Sequence, residues 1–160
     1  MNRPPRLRPP RRQRGLALIE AVIALPVVLL VLIPVGEVVR AFVQYSILAH
    51  HTRSAVRYVA ERAVNDTTGV PDINAALAAA AQNIVVYGSP VVNGTPVLPG
   101  LTISEVSPPV ITTSGDVFLT VTHPYKSALS LGGRLPAFGF GADLTLADRP
   151  LTVSYTMRPL

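Results

Sequence analysis

The chain has no cysteine among its 160 residues. Disulfide bonds and thiolate metal ligands are therefore excluded, and so is redox chemistry at cysteine. A basic arm over residues 1–14 has no acidic residue, and because its six arginines exceed the formal net charge of +5, the rest of the chain carries a net charge of −1. The basicity belongs to the arm and gives no reason to expect that the remainder binds nucleic acid.

The segment that follows the arm, Leu16 to Gly36, has a single ionisable side chain, Glu20. About 21 residues at roughly 1.5 Å per residue span about 31 Å, which matches a hydrocarbon core of about 30 Å. Pro26 and Pro34 lie inside this segment, where proline is tolerated better than in soluble helices. The positive-inside rule then predicts that the arm stays in the cytoplasm and that the C-terminal portion lies beyond the inner membrane.

Helical periodicity continues beyond the predicted span, so we expect one helix from Leu16 to about Val64, on the order of 70 Å long. Arg57 and Glu61 are spaced to form a weak pair on this helix. A small antiparallel sheet should cover the apolar stripe of its outer half, with Tyr45 and Tyr58 as parts of the cover. The stripe comprises Val35, Val38, Val39, Phe42, Tyr45, Ala49, Val56, Val59 and Ala63.

The remainder of the chain predicts a second helix and a sheet. Asn65 to Gly69 should break the first helix, and Ile73 to Ile84 should form the second, with Asp72 near its N-terminus. Asn93-Gly94 is a turn signal, and His123 to Gly141 is a predicted loop with a helical turn near residues 127–131. The predicted strands are Ile84 to Tyr87, Val91-Val92, Leu101 to Val106, Val117 to Thr122 and Leu151 to Met157. The predicted fold class is α+β.

The junction between the arm and the apolar segment is the strongest candidate for a functional site. A peptidase acting at the cytoplasmic face needs a small residue at the scissile position, a cationic flank and an apolar segment that holds the product in the membrane. Arg14, Gly15 and Leu16 provide these features. Glu20 is conspicuous because a carboxylate within a span costs on the order of 2.5–3.5 kcal/mol on insertion scales.

The spacing of Gly15 and Glu20 resembles a type IV prepilin-like processing site. The wider pattern resembles the TadE-like pseudopilins, the minor pilins of the tight adherence (Flp) pilus system. That pattern is Gly15, Glu20 and Ala24-Leu25-Pro26, then Gly36-Glu37, Arg40-Ala41-Phe42 and Tyr45, then Arg53-Ser54-Ala55-Val56-Arg57-Tyr58. The resemblance implies a pilin-like fold and cleavage between Gly15 and Leu16 by a prepilin peptidase.

The residue patterns and this resemblance together divide the chain into four parts. These are a basic leader at 1–15, a transmembrane helix at 16–36, an amphipathic extension at 37–64 and a small extracytoplasmic α+β domain at 65–160. The resemblance also implies an inner-membrane protein that works with other pilins and the pilus assembly platform in surface attachment and biofilm formation, either within the filament or in the basal complex.

Glu20 has two interpretations. A buried carboxylate becomes tolerable when a cation pairs with it, and the α-amine of Leu16 on a neighbouring processed subunit is such a cation. Such pairing would set the axial register between subunits. Alternatively, Glu20 lies only about 7 Å along the helix from Leu16 and reaches interfacial water.

Glu37, Arg40 and Phe42 are candidate subunit contacts by resemblance. Glu37 and Arg40 also fit a simple ion pair, or contacts with lipid headgroups, just outside the span. These two interpretations stay open from the sequence.

Other patterns that suggest chemistry do not predict an enzyme, a cofactor or a metal site. His50 and His51 point about 100° apart on a helix and have no acidic partner nearby. His123 has no recognisable nucleophile elbow, and the segment Gly139 to Gly141 has neither the basic residue nor the following helix of a phosphate loop.

We therefore expect a minor pilin or pseudopilin rather than an enzyme. One alternative is an unprocessed single-span protein that displays an extracytoplasmic binding domain. Another is a secreted protein released by ordinary signal peptidase, although the polar helix after Gly36 has no convincing small-residue cleavage site.

Overall fold

A computed structural model of the chain describes residues 13–64, 71–126, 134–135, 144–145 and 150–159. Three predicted features lie outside the described residues. They are residues 1–12 of the basic arm, the helix break at Asn65 to Gly69 and the helical turn near residues 127–131.

The fold is mixed helix and antiparallel sheet, as the sequence predicts. Helix α1 covers Gln13–Ala60 and helix α2 covers Ala75–Tyr87, and a 3-10 turn follows at Ile103–Glu105. The strands are β1 (Val110–Ile111), β2 (Val117–Pro124), β3 (Arg134–Leu135), β4 (Leu144–Thr145) and β5 (Pro150–Met157). One sheet has the order β1-β2-β5, and β3 pairs with β4 in a separate antiparallel ladder.

Helix α1 is the long helix that the sequence predicts, but it begins three residues earlier and ends at Ala60 rather than near Val64. Pro26 and Pro34 both lie inside it. The helix is long and apolar enough to cross a membrane, and its most apolar stretch has no buried residue. The chain consists of two compact units, Met1–Val38 and Val39–Leu160, and the boundary between them falls within α1.

The core of the second unit forms on only part of the predicted stripe of α1. Val56, Val59 and Ala63 are buried as expected, together with Leu48 and Ala55. The expectation that the stripe of the outer half is covered is wrong for its first members, which are exposed: Val38, Val39, Phe42 and Tyr45. The first fully buried core residue of α1 is Leu48, six residues beyond Phe42, so periodicity predicted the apolar stripe but not where along the helix the core covers it.

Helix α2 corrects two predictions. It begins at Ala75 rather than Ile73, after the N-cap Asn74, whose side chain accepts a hydrogen bond from the backbone N–H of Leu77 at 2.8 Å; Asp72 lies near this N-terminus as predicted. The run Ile84 to Tyr87 is the last turn of the helix and not a strand. Its β-branched residues favour a strand locally, but Ile84, Val85 and Val86 are buried in the core as one helical turn.

Gly88 ends α2 in the left-handed conformation, with φ +71° and its N–H donating to the Ile84 carbonyl at 3.0 Å. Glycine adopts this conformation without the steric cost that a Cβ brings. Gly88 therefore defines where α2 ends.

The two long predicted strands are confirmed and two short ones are wrong. Strands β2 and β5 pair antiparallel from Val117↔Met157 to Pro124↔Pro150. No strand forms at Val91-Val92, and Gly94 adopts φ +87° in a bend without a hairpin. The segment from Leu101 to Val106 contains the 3-10 turn, with only an isolated bridge from Val106 to Val121.

Candidate functional site

Gly15 and Leu16 lie in the first described turns of α1, and Leu16 is 72% exposed. A Cβ placed on Gly15 would meet no atom within 4 Å, and the residue has no positive φ. Neither packing nor backbone conformation therefore requires glycine here, although glycine costs a helix roughly 1 kcal/mol relative to alanine. Gly36, at the other end of the apolar segment, is equally open.

Glu20 lies on the same side of α1 as Leu16, one turn away. An open, shallow groove between side chains follows this side, and apart from the glutamate its lining is apolar: Leu16, Ile19, Glu20, Ile23, Ala24, Val27 and Val28. Within the described part of the chain, Glu20 has no hydrogen bond or ion pair. A carboxylate is thus presented from an otherwise apolar helix face.

The three candidate subunit contacts differ in their surroundings. Arg40 is exposed and Phe42 is 68% exposed, whereas Glu37 is buried with 4% of its surface accessible. Glu37 interacts with another group. Among the described residues, however, Glu37 and Arg40 do not form an ion pair with each other. Of the three, Arg40 and Phe42 are therefore the side chains directly available to another molecule.

Phe42 belongs to an exposed apolar patch on α1 that lies beyond the predicted span. We call Val39, Phe42, Val43 and Tyr45 the outer apolar face; their exposed fractions are 56%, 68%, 50% and 42%. A hydrocarbon core of about 30 Å takes up only about 20 residues of helix from Leu16. A bilayer that covered the predicted span would therefore leave this face outside its hydrocarbon core.

His51 lies between the two helices. A Cβ placed on Gly88 would be 3.2 Å from His51 Cε1, so the ring packs directly on the end of α2. Burial lowers the pKa of His51 below its ordinary value of 6.5, the neighbouring His50 lowers it further, and a hydrogen bond with the Ile84 backbone opposes both effects. Among the described residues, no three His, Asp or Glu side chains form a group that could hold a metal ion.

His123 has a partner that the sequence reasoning missed. Its Nδ1 lies 2.8 Å from Glu105 Oε2, and the histidine is only 5% exposed. The same carboxylate oxygen accepts a hydrogen bond from the backbone N–H of Thr102 at 3.2 Å, within a capping box over the 3-10 turn. The Thr102–Glu105 spacing signals the capping box, since Ser/Thr followed three residues later by Glu is a capping pattern, but it does not predict the contact with His123.

The expected pair of Arg57 and Glu61 is confirmed, with Arg57 Nε 2.9 Å from Glu61 Oε1 on the exposed side of α1. Arg62 lies over the ring of Tyr58, with its guanidinium carbon 3.9 Å from the ring centroid. Tyr58 packs against the core as expected, whereas Tyr45 is 42% exposed and is not part of the cover. These contacts stabilise the second unit and suggest no chemistry of their own.

The features that suggest a function are therefore arranged along one helix. They are an open glycine after an arginine, an isolated carboxylate five residues past the glycine, and an uncovered apolar face farther out. None is required by the core of the second unit. No protein-family model, no curated protein and no solved structure matches the chain.

Proposed function

We propose that the protein is a TadE-like minor pilin or pseudopilin that is processed by a prepilin peptidase and takes part in assembly of a tight adherence pilus. The proposal is supported above all by Gly15. The fold gives this residue no reason to be glycine, since an added side chain would meet nothing within 4 Å. A protease that requires a small residue before the scissile bond supplies that reason.

The helical context of Gly15 fits this role. A peptide bond inside a helix must be locally unwound before a protease can bind it in an extended form. Glycine, the poorest helix former after proline, lowers the cost of that unwinding. In the proposed topology the arm is cytoplasmic and the bond between Gly15 and Leu16 lies at the cytoplasmic face of the inner membrane.

Cleavage would create a cation close to the isolated carboxylate. The new N-terminus on Leu16 carries an α-amine with an ordinary pKa near 8, so it is largely protonated at neutral pH. Pairing of this amine with Glu20 of a neighbouring subunit reduces the cost of the carboxylate in lipid and sets how far one helix slides along another. The Glu20 carboxylate is available for that contact because no described side chain forms an ion pair with it.

The outer apolar face supports lateral assembly beyond the membrane. Helix packing between subunits would remove Val39, Phe42, Val43 and Tyr45 from water, and all four are more than 40% exposed. Apolar burial of this kind is the main driving force for association of helices in water. Arg40, on the same segment, is then a candidate for polar contacts at the edge of the interface.

Two matched glycine variants test the processing step. Gly15→Leu should accumulate the longer, unprocessed chain in membranes. Gly36→Leu should be processed normally, because this glycine is equally open and its substitution strains the helix no more. Processing of Gly15→Leu at the normal rate would overturn the proposal.

Glu20→Ala tests the second role. It should permit cleavage but impair assembly, because the carboxylate lies beyond the scissile bond. If Gly15→Leu and Glu20→Ala are both processed and both support filament formation, Gly15 and Glu20 do not form a processing and assembly motif. A mature protein that keeps Met1 would instead favour an unprocessed membrane-anchored binding protein.

A further inference from the structure

Strand β5 forms one edge of the three-stranded sheet. It pairs with β2 along its whole length, from Pro150 to Met157. Within the described part of the chain, no strand pairs with its other edge. The outward N–H and C=O groups of such an edge are a template for another strand.

Strand β5 itself has none of the sequence features that usually prevent pairing. Natural proteins protect edge strands with charged side chains, internal prolines or bulges. The eight residues of β5 include no charged side chain, and its only proline is the first residue. Its register with β2 is continuous and has no bulge.

The sequence of β5 is also self-complementary in the antiparallel direction. If a two-fold axis passes through Ser154, Leu151 faces Met157 of a second copy and Val153 faces Tyr155. On the other side of the sheet, Thr152 faces Thr156 and Ser154 faces its own counterpart. Apolar side chains therefore meet apolar ones and hydroxyls meet hydroxyls, which are favourable cross-strand pairs.

The observed burial agrees with this segregation. Val153 is 3% exposed, and Leu151, Tyr155 and Met157 pack against the core, whereas Thr152, Ser154 and Thr156 are exposed. Hydroxyl pairing already crosses from β2 to β5, since Thr120 Oγ1 lies 2.9 Å from Ser154 Oγ. A second copy on the free edge would continue both the core face and this hydroxyl row.

We propose that β5 is a self-association edge, at which two copies of this chain pair antiparallel about Ser154 to form a continuous six-stranded sheet. Each copy contributes the strands β1, β2 and β5. The interface is isologous, as expected for a two-fold dimer. It does not depend on processing at Gly15 or on the function proposed above.

The absence of cysteine makes the register directly testable by cross-linking of single-cysteine variants of the full chain in membranes. Directly opposed residues of antiparallel strands have Cα atoms about 4.5–5.5 Å apart, within the disulfide range of about 4.4–6.8 Å. Ser154→Cys should therefore form a disulfide-linked dimer under mild oxidation. The control is Thr122→Cys, exposed on β2, whose copies would lie more than about 14 Å apart.

A second pair of variants fixes the register. Thr152→Cys and Thr156→Cys should each cross-link poorly alone, because identical positions lie about 14 Å apart along the strands. Coexpressed, they should form the mixed dimer. The mixed disulfide should form at least about tenfold faster than the Thr122→Cys disulfide, because the two copies of residue 122 would lie farther apart than a disulfide can span.

A charge placed on the axis supplies the disruptive test. Ser154→Lys, introduced into the coexpressed pair, should abolish the mixed disulfide because two lysines would meet at the axis. Ser154 is exposed, so the fold itself should persist, and Thr122→Lys should leave the cross-link intact. Equal cross-linking of Ser154→Cys and Thr122→Cys, or a mixed disulfide unaffected by Ser154→Lys, would overturn the proposal.

Discussion

Replacement of Phe42 by alanine should weaken association between subunits without destabilising the fold. Phe42 is 68% exposed on the outer apolar face of α1. Full burial of such a side chain is worth about 1.5–3 kcal/mol, so removal of its exposed share should cost about 1–2 kcal/mol of association free energy, or about 5- to 30-fold in affinity. Because the side chain packs little within its own chain, the free energy of unfolding should change by less than about 0.5 kcal/mol.

The assay is the equilibrium between separate and associated copies of the full chain in lipid bilayers, followed by energy transfer as the protein is diluted with lipid. The chains carry Ser154→Lys, so that pairing at β5 does not contribute. Val92→Ala is the matched control, since Val92 is 59% exposed but lies in the loop after α2. If Phe42→Ala associates as strongly as Val92→Ala, the outer apolar face is not a subunit contact.

Three further predictions concern the second unit, each measured by urea unfolding in detergent followed by circular dichroism. Leu48→Ala, six residues beyond Phe42 but fully buried, should cost about 2–5 kcal/mol; a loss below 1 kcal/mol would contradict its place in the core. Gly88→Ala should cost about 1–2 kcal/mol for its left-handed backbone. The cost should fall in a His51→Ala background, which removes the contact at 3.2 Å; an unchanged cost would show that the contact does not matter. The pKa of His51 is lower in the folded state than in the unfolded chain, so below about pH 6.5 the unfolded chain binds more protons than the folded one. Stability is therefore retained above about pH 6.5 and decreases as the pH falls toward the folded-state pKa. His51→Gln should flatten that dependence, and an equally steep profile in the variant would assign it to other groups.

The sequence was most informative where one pattern extends over many residues. The apolar run and its helical continuation predicted α1, and the alternation in Val117 to Thr122 and Leu151 to Met157 predicted the two long strands. Each pattern repeats often enough to outweigh local propensity. The patterns of the predicted short strands did not outweigh local propensity or packing.

The errors arise where tertiary packing decides between local alternatives. The β-branched run Ile84 to Tyr87 resembles a strand, but packing against α1 makes it the end of α2. Periodicity predicted that α1 has an apolar face but not which part the domain covers, so the exposure of Phe42 was unexpected. The contacts of His51 with Gly88 and of His123 with Glu105 join distant segments, so no local pattern specifies them.

The candidate site was predictable as a set of residues but not in its surroundings. Arg14, Gly15 and Glu20 are recognisable from spacing alone. The structure adds that Gly15 is open and that Glu37 is buried, whereas Arg40 is exposed. These differences determine which residues are worth testing for processing and which for assembly.

The most direct test of the central claim is the N-terminal residue of the mature protein. Intact mass spectrometry and N-terminal sequencing of the protein recovered from membranes and filaments give it without any substitution. The account predicts a chain that begins at Leu16 and lacks residues 1–15, with its α-amine free. A chain that still begins at Met1 in assembled material would contradict it.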